Sequence, residues 1–122
     1  MTAGFVYEDI LSQHILREDH VMAPKRLRLT YELLKTYQAF DKPSSKKLKA
    51  RQASIEELSL FHGTAYIQAV KSISEGENSE DGNKYNFSDY GDNPPYLGMF
   101  EASRWSTGSS LAAFEALEAG IA

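Results

Sequence analysis

The sequence predicts a mostly α-helical chain with one or two short β-strands, and two patterns carry this prediction. Apolar residues recur at helical spacing over about 24–38, 54–61, 64–75 and 95–119. The run Gly4-Phe5-Val6-Tyr7 is instead short and β-prone, as expected of a strand. With 122 residues, the chain has room for one domain at most.

The composition is that of an ordinary globular protein. Hydrophobic residues make up 42% of the chain and charged residues 25%, and the net charge of −4 argues against nucleic-acid binding as the main task. The absence of cysteine excludes disulfides and thiolate metal sites. The N-terminus lacks the pattern of a signal peptide, and no apolar run is long enough for a membrane span. We therefore expect a cytoplasmic protein without a nucleic-acid or membrane partner.

The first predicted helix, about 24–38, follows a polar stretch. Residues 8–16 could form either a loop or a short helix, and residues 17–20 are predicted to form a turn. Pro24 suits the first turn of a helix because its ring fixes φ near the helical value. Charged side chains fall mainly on the face opposite the leucines and tyrosines, which predicts an amphipathic helix.

Two further helices are predicted in the middle of the chain. The segment Ser54-Ile55-Glu56-Glu57 has the spacing of a capping box, in which each side chain accepts a hydrogen bond from the other residue's backbone N–H. Leu58 and Phe61 follow on the apolar face of this helix. The next helix begins near Thr64 and stops at Gly76.

Two loops of opposite charge are predicted, one basic and one acidic. The acidic charges lie within residues 75–92. This range overlaps the long predicted loop 76–93, and long loops are usually functional or disordered. We interpret both charged stretches as solvated loops, and a docking surface for a charged partner is the alternative. The basic residues are Lys42, Lys46, Lys47, Lys49 and Arg51.

No metal site is predicted from the residues themselves. His14, His20 and His62 lack the i, i+4 spacing that places two imidazoles on one helix face. A calcium-binding loop is also excluded, because placing Gly82 at position six of an EF-hand puts Ser88 where a glutamate is required.

The last predicted helix, about 95–119, is apolar and rich in small residues. Its serines at 103, 106, 109 and 110 lie outside any Gly-x-Ser-x-Gly nucleophile elbow. We therefore expect these small side chains to permit close packing against another helix or a sheet. A helix of this kind needs partners on several sides.

Asp92 and Arg26 are the two candidate site residues with alternative interpretations. Asp92 precedes Pro94 at the junction of a loop and a helix, where aspartate is favoured as a helix cap or in an Asx-turn. Alternatively, its carboxylate could stand at a rim and accept hydrogen bonds from N–H groups of a ligand. Arg26 is either a solvated arginine on the first helix or a side chain that points inward.

Four segments of the chain, in register over nearly its whole length, resemble those of one family. The opening Gly4-Phe5-Val6-Tyr7 resembles its first strand. The segment His20-Val21-Met22-Ala23-Pro24-Lys25-Arg26 resembles its His-Pro-x-x-Pro-x-Arg motif, with Val21 in place of the first proline. The other two segments are 53–58 with 62–70, and 90–113, in which Ser109 replaces a second glycine. The chain thus resembles the N-terminal third of the histone deacetylase family, in particular its acetoin-utilisation and acetylpolyamine-type branch.

This resemblance implies an α/β fold, the parallel sheet of the arginase/deacetylase type, with residues 1–122 as the N-terminal part of its domain. It implies that Asp92 is the rim aspartate that holds the backbone amides of the substrate. It also implies that Arg26 lines an internal channel through which acetate leaves, and that Tyr7 lines the same interior.

The chemistry of the family requires zinc, which is held by an Asp-x-His pair and a second aspartate, and a base from a tandem His-His. This chain contains neither Asp-x-His nor His-His. The chain itself is therefore expected to hold no cofactor and to lack the activated water and base that hydrolysis needs.

Two functions remain open at this point. The chain is either the N-terminal segment of a zinc-dependent deacetylase of acetyl-lysine or acetylpolyamines, inactive alone, or a non-catalytic helical domain used for interaction or oligomerisation. In either case, the helix over 95–119 would lack the parallel sheet of the family fold and would therefore expose apolar surface. We therefore expect a homo-oligomer with this helix in the interface.

Overall fold

The computed structural model describes residues 1–77 and 81–122, of which about half are helical. Short 3-10 turns lie at Asp9–Ser12 and Ala39–Asp41. No helix within the described ranges combines the length and the apolar character needed to cross a membrane. The remaining elements, in chain order, are β1 (Ala3–Val6), α1 (Lys25–Thr36), β2 (Ser45–Leu48), α2 (Ile55–Ser59), α3 (Thr64–Ser74), α4 (Asp81–Lys84) and α5 (Met99–Glu118).

β1 and β2 form a two-stranded parallel sheet. Their register pairs Ala3 with Ser45 and Val6 with Leu48, and α1 lies between the strands in the sequence. The unit is thus a βαβ crossover, the building block of a parallel α/β sheet. The prediction of a mostly helical segment with one or two strands is confirmed.

The position of β2 corrects the prediction that the whole basic stretch is a loop. Lysine has low strand propensity, so nothing local in Ser45–Leu48 predicts a strand. Hydrogen bonds to β1 instead hold this segment in the strand conformation, while Lys46 and Lys47 stay exposed. The Lys47 ammonium lies 4.9 Å from the centre of the Tyr31 ring on α1, which links the strand to the crossover helix.

Helix α1 forms where the sequence predicts a helix but buries none of its residues. Gln38 adopts the left-handed conformation (φ 54°) and turns the chain away after the last turn. The apolar side chains of Leu27 and Leu33 are 49% and 55% exposed. The apolar face of α1 is therefore covered only in part within the described chain: Tyr31 stacks on Tyr7, while Leu27 and Leu33 stay largely exposed.

The predicted capping box at the start of α2 is confirmed. The Glu57 N–H donates to Ser54 Oγ over 3.1 Å, and the Ser54 N–H donates to Glu57 Oε2 over 2.7 Å. Arg51 donates to both oxygens of Glu57, over 2.9 and 2.7 Å, and it also contacts Glu115 on α5. This ion network fastens the start of α2 to the last turns of α5.

The hydrophobic core lies between α2, α3 and α5. Its buried members include Ile67, Val70 and Ile73 of α3 and Met99 and Phe100 of α5. α5 begins at Met99, and the predicted range from about 95 starts with non-helical residues, of which 97 and 98 form a turn.

Gly108 lets α5 approach the segment before α2. A Cβ atom at this position would lie 2.1 Å from the carbonyl oxygen of Arg51, which is far inside van der Waals contact. The Ala53 N–H donates to the Arg104 carbonyl over 2.9 Å, and Arg104 Nε donates to the Ala53 carbonyl over 2.8 Å. Backbone thus packs directly on backbone here, as expected for a small residue of this helix.

The long predicted loop 76–93 contains one helical turn, α4. Residues 78–80 of this loop, including Glu80 of the acidic stretch, lie outside the described residues.

Candidate functional site

A cavity of about 740 Å³ lies between residues 11–23, the first turns of α1 and one face of α5. Two of the predicted site residues, Arg26 and Asp92, line it together. Its other polar side chains include His14, His20 and Tyr96. The structure thus brings residues that are far apart in the sequence to one concave surface.

A second cavity, of about 770 Å³, lies between the end of α3 and residues 82–97. Tyr96 lines both cavities, whereas Asp92, Arg26 and Tyr7 do not line the second one. The first cavity is therefore the candidate site, because Asp92 and Arg26 line it.

Asp92 does not act as a cap or in an Asx-turn. The N-cap of α5 is Gly98, six residues further on. The residue at the second position after Asp92 is Pro94, which has no N–H for an Asx-turn. The Asp92 side chain is exposed and makes no hydrogen bond within the described chain. Its carboxylate is therefore available to an external donor.

Arg26 and Tyr7 occupy different environments. Arg26 is exposed on the first turn of α1, where its Nη1 lies 3.9 Å from Met22 Sδ. Tyr7 is only 2% exposed and follows β1 directly. Its hydroxyl is hydrogen-bonded to Ser12 Oγ over 2.8 Å, and its ring stacks on Tyr31 with centroids 4.4 Å apart. Tyr7 is thus not a lining residue of the cavity.

The loop that carries Asp92 is held by two residues of the predicted turn whose contacts with this loop the sequence did not reveal. His20 is 8% exposed, and its Nε2 lies 3.1 Å from the main-chain oxygen of Asp92. Arg17 Nη1 donates to the main-chain oxygens of Asp89 and Gly91 over 2.9 and 3.3 Å. The turn itself forms as predicted, but its partners lie about 70 residues away in sequence, beyond the reach of any local pattern.

The serines of α5 line the cavity, which corrects the expectation that they serve close packing. Ser103 and Ser109 donate to carbonyls one turn earlier, at Met99 and Trp105, over 2.8 and 2.7 Å. Gly108 makes the close approach to neighbouring backbone that small residues predict. The spacing of 103, 106 and 110 places these serines on one helix face, and that signal could have indicated a polar wall.

Tyr96 and His14 add hydrogen-bonding groups to the cavity. Burial raises the pKa of Tyr96, so its phenol keeps its proton at ordinary pH. The Nε2 atom of His14 is buried and has no hydrogen-bond partner among the described residues. Together with the exposed charges of Arg26 and Asp92, these groups place a few polar sites in a cavity whose remaining lining is largely apolar.

The residues present do not fit a zinc ion. Within residues 1–77 and 81–122, no three or more His, Cys, Asp or Glu side chains come together in a group that could hold a metal. No catalytic step through zinc is therefore assigned to this part of the protein.

Comparison with known proteins relates the chain to deacetylases. A family model described as the histone deacetylase domain matches residues 20–122. The acetoin utilization protein AcuC of Bacillus subtilis (strain 168) is 37% identical over 119 residues, which are 97% of this chain and 30% of that protein. Histone deacetylase 1 of Homo sapiens is 28% identical over 109 residues, which are 88% of this chain and 22% of that protein. The chain thus spans less than a third of the length of these relatives.

Proposed function

Because this chain belongs to the histone deacetylase family, we propose that it is the N-terminal part of a zinc-dependent deacetylase that hydrolyses acetyl-lysine or acetylpolyamines. The observation that carries the proposal is the position of Asp92 in a member of this family. Its carboxylate lines the cavity, is exposed and has no hydrogen-bond partner in the described chain. A carboxylate in this state can accept charge-assisted hydrogen bonds from the amide N–H groups of a substrate.

Arg26 and Tyr7 are proposed to belong to an internal channel for the acetate product. Arg26 lines the cavity, where its guanidinium can attract and bind a carboxylate. Tyr7 would act indirectly, because its ring supports Tyr31 on the same helix as Arg26.

The zinc ligands and the general base are proposed to lie outside these 122 residues. The sequence contains neither the Asp-x-His pair nor the tandem His-His that the resemblance leads us to expect. The segment would then supply one substrate contact, part of the channel and part of the core, and would be inactive alone. We propose a cytoplasmic location for the protein.

A chimera tests the proposed deacetylase function. The region of the Bacillus subtilis relative that matches this chain is replaced by this chain, and hydrolysis of an acetyl-lysine peptide and an acetylated polyamine is measured. We expect turnover by the chimera, and neither turnover nor stoichiometric zinc for the isolated 122-residue chain. The unmodified relative is the positive control. An active control beside an inactive, folded chimera would contradict the deacetylase proposal, and turnover by the isolated chain would contradict its inactivity alone.

The alternative is a non-catalytic helical domain that assembles with copies of itself through α5. Phe114 and Leu117 on this helix are 55% and 63% exposed, and burial of such side chains favours association. Light scattering of the isolated chain should then show a homo-oligomer that the substitution Leu117→Lys dissociates. The control Glu118→Gln changes a neighbouring exposed residue and should leave the mass unchanged. A monomer in the unsubstituted chain would refute this alternative.

A further inference from the structure

We propose that Arg17 and His20 are positioning residues, which hold the loop 89–92 and thereby set where the Asp92 carboxylate stands. The inference rests on the proposed role of Asp92 as a substrate contact. Within the described chain, the hydrogen bonds that join residues 88–93 to other segments all come from Arg17 and His20. The other hydrogen bonds of this stretch are internal, from Ser88 to Asn93 and from Gly91 to Ser88.

The surroundings of His20 determine which of its ring nitrogens carries the proton. The Met22 backbone N–H can only donate, and it lies 3.1 Å from His20 Nδ1, so Nδ1 must accept. The neutral ring then carries its hydrogen on Nε2, which donates to the main-chain oxygen of Asp92 over 3.1 Å. His20 thus uses both nitrogens to join residue 22, just before α1, to residue 92.

Arg17 holds the same loop from the other end of the turn. Its Nη1 donates to the carbonyls of Asp89 and Gly91, while its Nε donates to the carboxylate of Asp19. The hydrogen bond from Arg17 lowers the pKa of Asp19, so this carboxylate stays ionised and keeps orienting the guanidinium. Three main-chain carbonyls, those of residues 89, 91 and 92, are therefore held by one turn.

The two contacts of His20 require a side chain that accepts at one end and donates at the other. The Met22 N–H needs an acceptor, and the main-chain oxygen of Asp92 needs a donor. The loop should therefore lose order when His20 is replaced by a side chain that lacks both groups, and keep its order when the replacement supplies both.

Backbone NMR relaxation of the 122-residue chain tests the positioning role. In the unsubstituted chain, we expect ordered amides at Gly91, Asp92 and Asn93. His20→Leu, which removes both ring nitrogens, should lower the order parameters of these amides below about 0.6, while those of α3 stay unchanged. The control His62→Leu changes an exposed histidine and should behave as the unsubstituted chain.

His20→Gln separates positioning from general packing. The glutamine amide can donate to the Asp92 carbonyl and accept from the Met22 N–H. The loop should then stay ordered. Arg17→Met should raise loop mobility, with Arg28→Met on the exposed face of α1 as its control. Equal loop order in the unsubstituted, His20→Leu and Arg17→Met chains, or a mobile loop in His20→Gln, would overturn the proposal.

The catalytic consequence is measured in the chimera described above. His20→Leu should raise KM for the acetyl-lysine peptide about tenfold and change kcat little, because a misplaced Asp92 weakens ground-state and transition-state binding alike. His20→Gln should restore KM. An unchanged KM in His20→Leu would overturn the link between the turn and the substrate. The NMR experiment requires no turnover. An inactive chimera would therefore count against the proposed function, and the NMR measurement would still test the positioning role of Arg17 and His20.

Discussion

Helices α1 and α3 are both amphipathic but differ in composition and surroundings, since α1 carries five charged residues and α3 only one. α3 buries five residues, and three of them, Ile67, Val70 and Ile73, belong to the core cluster with residues of α2 and α5. α1 buries none, although its leucines recur at the same helical spacing. The comparison shows that periodicity identifies the apolar face of a helix, whereas contacts distant in sequence decide whether that face is covered.

The candidate site lies beside α1, the less buried of these two helices. Arg26 stands on α1, and the turn that contains Arg17 and His20 directly precedes it. The other wall of the cavity is α5, whose opposite face belongs to the core. α5 thus anchors the site to the stable part of the fold, while α1 carries groups that remain open to a ligand or to further protein.

The largest expected effect is a difference in the free energy of unfolding between substitutions on α3 and on α1. Ile67→Ala on α3 should lower the free energy of unfolding by about 3 kcal/mol, because it leaves a cavity in the buried core cluster. Leu33→Ala on α1 should cost less than about 0.5 kcal/mol, because that side chain is already more than half exposed. Urea unfolding of both variants checks this. Equal costs would mean that α1 is covered in solution.

The next effect concerns the contact between α5 and the segment before α2. Gly108→Ala should destabilise the fold by about 2 kcal/mol, even though alanine favours helix, because the added methyl group meets the backbone of residues 51–53. Ser110→Ala on the exposed face of the same helix is the matched control. Thermal unfolding measures both. A stabilised Gly108→Ala chain would show that this contact is looser than the structure has it.

The smallest effect is a pH dependence at the ion network. The Arg51 guanidinium, followed by the Ser54 N–H, lowers the pKa of Glu57 from 4.5 to about 2. Because the pKa is lower in the folded state, the stabilisation is complete above pH 4.5 and is lost as the pH falls from there through about 2. Arg51→Met should therefore flatten the pH dependence of urea midpoints between pH 5 and 2.5, whereas Arg28→Met should not. Parallel pH profiles for Arg51→Met and the unsubstituted chain would refute this assignment.

The sequence was sufficient to predict features whose causes are local. The capping box of Ser54 and Glu57, the stop at Gly76 and the apolar spacing of α3 each depend on a few neighbouring residues. The family resemblance rested on such segments too, and the family membership is confirmed.

The features that the sequence did not reveal depend on contacts between distant residues. β2 is a strand because it pairs with β1, about 40 residues earlier in the sequence, and its lysines gave no sign of it. The link from His20 to Asp92 joins positions 72 residues apart. The exposure of α1 could not be predicted either, since a helix pattern does not specify its partner.

The proposed contact between Asp92 and the substrate is tested most directly by kcat/KM of the chimera with and without the Asp92 carboxylate. Asp92→Asn keeps the shape of the side chain but removes its charge, and a hydrogen bond to a charged group contributes about 1.5–3 kcal/mol. We therefore predict a loss of about 10- to 100-fold in kcat/KM for an acetyl-lysine peptide, with zinc content unchanged. Asp41→Asn, which alters an exposed carboxylate outside the cavity lining, is the control and should leave kcat/KM unchanged. An Asp92→Asn chimera as active as the unsubstituted one would contradict the proposed substrate contact.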